Sequence, residues 1–193
     1  MRWGKKTVYG GEVTAMALTV TFTSEQQVIR TLETTFTQVQ QRMDGLPFLN
    51  PRLQVRALGF QPWQQYWLGV LVTPWFMNFM LLPREDGVSV PRFGEAQLVN
   101  FPCGTFSFIA GHEGGIGSYM SCSLFSPVQE LESQHLAEEI AMASLKQLLT
   151  AEASTAESSI PADCSAEPPR RTLFRRILGQ QADKQHIQGK AVE

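Results

Sequence analysis

The chain has 193 residues, 43% of them hydrophobic, and a formal net charge of −2 at pH 7. That length suits one domain of about 150 residues with a tail, and the hydrophobic content is enough for a buried core. The near-neutral charge gives no electrostatic case for binding nucleic acid or an anionic membrane, and no apolar run approaches the roughly 20 residues of a membrane-spanning helix. We therefore expect neither partner.

The cysteines and the N-terminus indicate a cytoplasmic protein. Cys103, Cys122 and Cys164 are too few and too scattered for a disulfide framework or a zinc site with paired ligands. Residues 15–17 imitate a signal-peptidase site, but a secretory signal has its apolar core before that site. Here residues 7–12 contain threonine, glycine and glutamate instead, so we expect no secretory signal.

The first predicted element is a helix over residues 24–43. Ser24 followed by Gln27 fits a capping box, in which each side chain satisfies a backbone N–H at the helix start. Apolar residues then recur at spacings of four, four, three and four, as Val28, Leu32, Phe36, Val39 and Met43. Gly45 suits the left-handed position after the helix, and the polar opposite face indicates a helix that lies on a sheet.

Six strands are predicted next, over residues 54–58, 66–72, 75–82, 96–101, 105–110 and 119–125. Turns are expected at Pro62, at residues 83–87 and at residues 111–117. Connections this short favour antiparallel pairing, because a parallel crossover needs a dozen or more residues. Polar and apolar residues alternate over 105–108, which predicts a sheet with one covered face.

A second helix is predicted over residues 133–149, with an apolar side formed by Leu136, Ile140, Ala143 and Leu148. Residues 151–169 have almost nothing to bury, so we expect a disordered linker. The fold class is therefore α+β: one antiparallel sheet of about five or six strands, with an N-terminal and a C-terminal helix packed on it. Residues 1–23 form an extension, 24–149 the domain, and 150–193 a flexible tail.

Two residues in the glycine-rich turn, His112 and Glu113, are the candidates for chemistry. The turn is neither a nucleophile elbow nor a phosphate-binding loop, and no further metal ligand lies near them in sequence. They are either solvated polar residues at a loop tip or the site of a small-molecule-binding enzyme. We assign no catalytic residue, no metal and no cofactor.

The strand over residues 75–82 is unusually rich in aromatic residues and methionine. It is either a contact surface, since such side chains adapt well to a partner, or a strand buried on both faces.

Cys122 is likewise either a small buried hydrophobe or a contact residue. A hairpin centred near residue 114 would place it opposite Ser107 and Thr105, so a disulfide with Cys103 is possible but not required.

The segment over residues 170–179 contains four arginines among apolar residues. It is either a short recognition segment, with the arginines binding acidic groups, or a solvated tail.

Several motifs in order resemble one family: Leu-Pro-Phe-Leu-Asn-Pro at 46–51, Thr-Pro-Trp at 73–75, Leu-Pro at 82–83, Phe-Pro-Cys-Gly-Thr at 101–105 and Tyr-Met-Ser-Cys-Ser-Leu-Phe-Ser-Pro at 119–127. Over residues 24–149 and 170–179 the chain resembles the HybE/HupJ family of accessory proteins, chaperones in the assembly of nickel–iron hydrogenases. The resemblance implies a cytoplasmic, non-enzymatic chaperone. Its partners would be hydrogenase large or small subunit precursors, held until their cofactors are loaded, with other maturation proteins as further candidates.

The resemblance also implies a client-binding surface, which we expect to include Trp75, Met77, Tyr119, Cys122, Phe125, Arg171, Phe174 and Arg175. Some relatives carry a rubredoxin-like module with paired Cys-x-x-Cys motifs. This sequence has no such motif, so we expect it to bind no iron. An enzyme that uses His112 and Glu113, or a generic adaptor unrelated to hydrogenases, remains an alternative.

Overall fold

The structure is a computed structural model and describes residues 21–150. In chain order the elements are α1 (Glu25–Arg42), β1 (Arg56–Trp63), β2 (Tyr66–Val72), β3 (Met77–Pro83), β4 (Ala96–Phe101), β5 (Gly104–Glu113), β6 (Gly117–Phe125) and α2 (Gln134–Leu148). The strands form one antiparallel sheet in the order β1-β2-β3-β6-β5-β4. This confirms the predicted fold class. The predictions for residues 1–20 and 151–193, including Cys164 and the segment 170–179, lie outside the described residues.

Helix α1 begins as its capping signal predicts. The Ser24 hydroxyl accepts a hydrogen bond from the Gln27 N–H at 3.3 Å. The Gln27 side-chain oxygen Oε1 accepts a hydrogen bond from the Thr23 N–H at 3.0 Å, one residue further back than in a standard capping box. Val28, Leu32 and Phe36 are buried against the sheet, as the apolar spacing requires.

The sheet is covered on both faces at one end, so the prediction of one covered face is wrong there. Both helices pack mainly on β1 and β2, from opposite sides. Along β3, Phe79 and Leu81 enter the core on the α2 side, while Met80 and Leu82 enter the core on the α1 side. We call these two layers the α2-side core and the α1-side core. The strand over 77–83 is therefore buried on both faces.

Pro62 was predicted in a turn, but it lies within β1, opposite Trp67 of β2. The turn comes two residues later, where Gln64 has a positive φ of 50°. Proline is tolerated in β1 because this strand is at the edge of the sheet, where one side needs no hydrogen-bond donor.

The β5–β6 hairpin is tighter than predicted, since Glu113 pairs with Gly117 and only three residues form the turn. The register places Ile109 opposite Ser121, which centres the hairpin on residue 115 rather than 114. Cys103 lies in the turn between β4 and β5, six residues before Ile109, and its thiol is free. A disulfide between Cys103 and Cys122 is therefore not formed.

Candidate functional site

Four aromatic side chains form a continuous row along the border of α1 and the sheet. The rings of Trp75 and Phe76 meet edge to face with centroids 5.5 Å apart, and Phe76 meets Phe36 of α1 in the same way at 5.9 Å. The ring of Phe36 in turn meets the ring of Tyr119 of β6 edge to face, with centroids 6.5 Å apart. Trp75, Phe76 and Tyr119 are each half-buried, so this aromatic row has one side in the core and one side at the surface.

The turn between β2 and β3 holds the first two members of the row in place. The buried Thr73 hydroxyl accepts hydrogen bonds from the N–H groups of Trp75 at 3.3 Å and Phe76 at 3.0 Å. The same hydroxyl donates to the Phe76 carbonyl at 3.0 Å. Because a threonine side chain has few rotamers, these bonds hold the backbone of the turn from which the Trp75 and Phe76 side chains project.

Asn50 connects this turn to two other segments. Its side chain is 4% exposed and donates to the carbonyls of Val128 at 3.0 Å and Leu131 at 2.8 Å. Its backbone N–H donates to the Pro74 carbonyl at 2.8 Å. Three of the sequence motifs, around residues 50, 74 and 127, thus meet at one end of the sheet. The role of Asn50 was not predicted; a lone asparagine before a proline was its only sequence signal.

Tyr119 ends the aromatic row and is held by a close contact. Its ring lies over Gly111 of β5, where an added Cβ would be 2.5 Å from the Tyr119 Cζ. Burial raises the pKa of the Tyr119 hydroxyl, and the negative charge of Glu113 raises it further. Glu113 in turn forms an ion pair with Arg42 of α1 at 3.2 Å.

Beside the row, the α1-facing side of β4 and β5 and the adjoining part of β6 is not covered by α1. We call this surface the open face; it consists of Ala96, Leu98, Asn100, Thr105, Ser107, Ile109, Ser121 and Ser123. None of these residues is charged. Leu98 is 71% exposed and Ile109 53% exposed, which is high for large aliphatic side chains. An exposed apolar surface with hydroxyl groups is suited to contact with another protein.

The predicted site residues divide into three groups. Trp75 and Tyr119 belong to the aromatic row and reach the surface. Met77 and Cys122, at 0% and 2% exposure, are in the α2-side core, and the half-buried Phe125 packs against it. Arg171, Phe174 and Arg175 lie outside the described residues. Alternation along β3 and β6 directs Met77 and Cys122 to the covered face, so the structure gives them a packing role.

The glycine-rich turn packs against α1. An added Cβ on Gly115 would overlap the Thr35 hydroxyl, and Ile116 is buried in the α1-side core. The exposed His112 contacts the Ser118 hydroxyl at 3.3 Å. Within residues 21–150, no group of three or more His, Cys, Asp and Glu side chains is placed to hold a metal ion.

Cys103 has the properties of a packing residue. Its half-buried side chain packs against the α2-side core. Burial raises the pKa of its thiol, more than its backbone hydrogen bond lowers it.

No helix in the described part of the chain is long and apolar enough to span a membrane.

The fold and its surface define a small α+β domain that presents an aromatic row beside an uncharged sheet face, an arrangement suited to protein contact. Comparison with known proteins identifies the family. A family model for the nickel–iron (NiFe) hydrogenase assembly chaperone HybE matches residues 27–176. The chain therefore belongs to the HybE family of hydrogenase assembly chaperones, and its role is in hydrogenase maturation.

Individual relatives agree with this assignment. The hydrogenase expression/formation protein HupT of Azotobacter chroococcum mcd 1 is 36% identical over 149 residues, which are 77% of this chain and 94% of HupT. HupJ of Bradyrhizobium diazoefficiens is 36% identical over 132 residues, 68% of this chain and 70% of HupJ. The hydrogenase-2 operon protein HybE of Escherichia coli K12 is 30% identical over 99 residues, 50% of this chain and 61% of HybE.

The solution structure of HybE from Escherichia coli has the same fold. It superposes with a TM-score of 0.54 and 23% sequence identity, covering 72% of this chain and 88% of that one.

Proposed function

We propose that this chaperone binds a precursor of the large or small subunit of a nickel–iron hydrogenase, without catalysis, and holds it until its cofactors are loaded. We place this step in the cytoplasm. The single observation that carries the proposal is the aromatic row, held at the surface by the Thr73 hydroxyl beside an uncharged sheet face. Family membership identifies the process in which such a surface would be used.

Trp75 is the residue through which we expect most of the contact energy. A half-buried tryptophan provides a large apolar area that is already ordered by its neighbours, so little conformational entropy is lost on binding. Tryptophans at the centre of an interface commonly cost about 2 kcal/mol or more when they are truncated.

The test is affinity capture of the tagged full-length chain from its native host under oxygen-poor, hydrogenase-expressing conditions, with captured proteins identified by mass spectrometry. The wild-type chain should recover a hydrogenase subunit precursor. Trp75→Ala should recover at most about a tenth as much, consistent with a loss near 2 kcal/mol. Phe93→Ala is the matched control, because Phe93 is an exposed aromatic residue outside the aromatic row and the open face.

Two further measurements make the result interpretable. Urea unfolding of Trp75→Ala must remain cooperative, since loss of folding would show a core role instead of a contact role. If hydrogenase precursors are present in the lysate but absent from the captured proteins, the proposed function is wrong.

The absence of catalysis has its own test. The double substitution His112→Ala with Glu113→Ala removes the two candidate groups of an enzyme, and neither belongs to the aromatic row or the open face. Precursor capture and hydrogenase activity in the host should both stay at the wild-type level. Loss of hydrogenase activity with undiminished capture would indicate chemistry at the glycine-rich turn.

A further inference from the structure

Strand β4 is an outer strand of the sheet, and its free edge has backbone groups available for pairing. Among residues 21–150 it pairs only with β5, through a hairpin in which Phe101 is opposite Gly104. Residues that flank a two-residue turn exchange hydrogen bonds, and the pattern then alternates along the strand. The N–H and C=O groups of Ala96, Leu98 and Asn100 therefore point away from β5. None of the hydrogen bonds among residues 21–150 uses them.

The other outer strand, β1, is protected against such pairing. It contains Pro62 and a register shift between Leu58 and Gln61. The guanidinium of its Arg56 forms ion pairs with the carboxylates of Glu33 of α1, at 3.7 Å, and Glu138 of α2, at 3.6 Å. These charges link both helices to this edge. Prolines, bulges and charges are the means by which proteins prevent a sheet edge from accepting another strand.

Strand β4 has none of these features. Its six residues, Ala-Gln-Leu-Val-Asn-Phe, contain no charge and no proline, and they pair with β5 in an unbroken register. Such an edge can accept an extended polypeptide through main-chain hydrogen bonds.

The side chains around this edge define the chemistry of the added strand. On one face its side chains would lie beside Leu98 and near Ile109, the two large aliphatic side chains of the open face, both of which are exposed. On the other face they would lie beside Phe101, whose ring is stacked on the ring of Trp63 of β1 with centroids 4.4 Å apart. None of these four side chains is charged, and burying a charge against them without a partner would be costly. The edge therefore favours an extended, uncharged segment.

We propose that the β4 edge binds an extended, uncharged segment of the hydrogenase precursor as a seventh strand of the sheet. This proposal rests on the proposed function, because it takes its partner from there. A second copy of the chain fits less well. An edge of six residues is about 20 Å long, and pairing two such edges buries much less than the roughly 1,200 Å² of a stable dimer.

The test is hydrogen–deuterium exchange of the full-length chain, alone and in the complex captured with the hydrogenase precursor. Exchange of the amides of Ala96, Leu98 and Asn100 should slow at least tenfold in the complex, while β1 stays unchanged. Leu98→Pro removes an outward N–H and no hydrogen bond to β5, and it should weaken precursor capture about tenfold. Leu98→Ala keeps that N–H and is the matched control, with a loss of at most about threefold.

The possible results separate the two proposals. If wild-type chain captures the precursor but β4 exchange is unchanged, or Leu98→Pro captures as well as Leu98→Ala, strand addition is wrong and the proposed function stands. If the β4 amides are already protected in the free chain, the edge has another occupant: a second copy when protection depends on protein concentration, or a terminus of this chain when deletion of residues 1–20 or 151–193 removes it. Failure of the wild-type chain to capture any precursor would overturn both proposals.

Discussion

Replacing Asn50 by alanine tests whether one side chain holds together the end of the sheet that carries the aromatic row. The substitution removes two hydrogen bonds donated to the carbonyls of Val128 and Leu131 and one accepted from the Arg52 N–H at 3.0 Å. A net hydrogen bond contributes about 1 kcal/mol, and more when a buried partner is left unsatisfied. We therefore expect the free energy of unfolding to fall by about 3 kcal/mol.

The assay is urea unfolding followed by tryptophan fluorescence and by far-ultraviolet circular dichroism, with the midpoint and the slope fitted separately. Asn100→Ala is the matched control, because Asn100 is exposed and its side chain has one hydrogen bond, accepted from Thr105 at 2.7 Å. That control should change the unfolding free energy by less than about 0.5 kcal/mol. A loss below about 1 kcal/mol for Asn50→Ala, at unchanged slope, would refute the argument that this side chain holds the segment over residues 128–131 at this end of the sheet.

Two further predictions concern the glycine-rich turn and the aromatic row. Gly115→Ala should destabilise the chain by about 1–3 kcal/mol, because its Cβ would overlap the stiff Thr35 side chain, whereas Gly114→Ala, with open space around the added Cβ, should be close to neutral in the same thermal unfolding experiment. The pKa of Tyr119 is raised in the folded chain, so the unfolded chain loses that proton first, and the stabilisation present below about pH 10 is lost as the pH rises through the folded pKa. Tyr119→Phe should therefore reduce the fall in stability between pH 9 and 11, and an identical fall in both proteins would contradict this assignment.

Much of the secondary structure follows from local signals. Ser24 is the N-cap of α1, as its capping signal predicted, and the second helix begins after Ser133, where it was predicted to start; there the structure shows a second N-cap, in which Ser133 accepts a hydrogen bond from the Leu136 N–H. The bounds of β2 and β4 match the prediction, since each strand ends at a turn formed by local glycine or proline chemistry. By contrast, the prediction of a turn at Pro62 was wrong. Proline is compatible with both a turn and an outer strand, and only the strand order shows that β1 is at the edge.

The candidate surface depended on contacts between distant parts of the chain. Alternation along β3 separates Met77 from Asn78 and Met80, but it cannot tell which face a helix covers. Asn50 contacts the Leu131 carbonyl, 81 residues away, and nothing near Asn50 in sequence indicates that partner. Phe36 is a core residue of α1, as predicted, and only the structure shows that its ring also joins Phe76 to Tyr119.

By itself, the sequence determined the elements, the antiparallel pairing, the α+β class and the family, because these depend on periodicity, capping, short turns and ordered motifs that are local in the chain. Only the tertiary structure decided that β4, fourth in sequence, is an outer strand, and that both helices pack mainly on the opposite half of the sheet. That arrangement leaves the open face exposed and buries Met77 and Cys122. The physical reason is that exposure depends on which distant segment packs over a side chain, and this is a property of the whole fold.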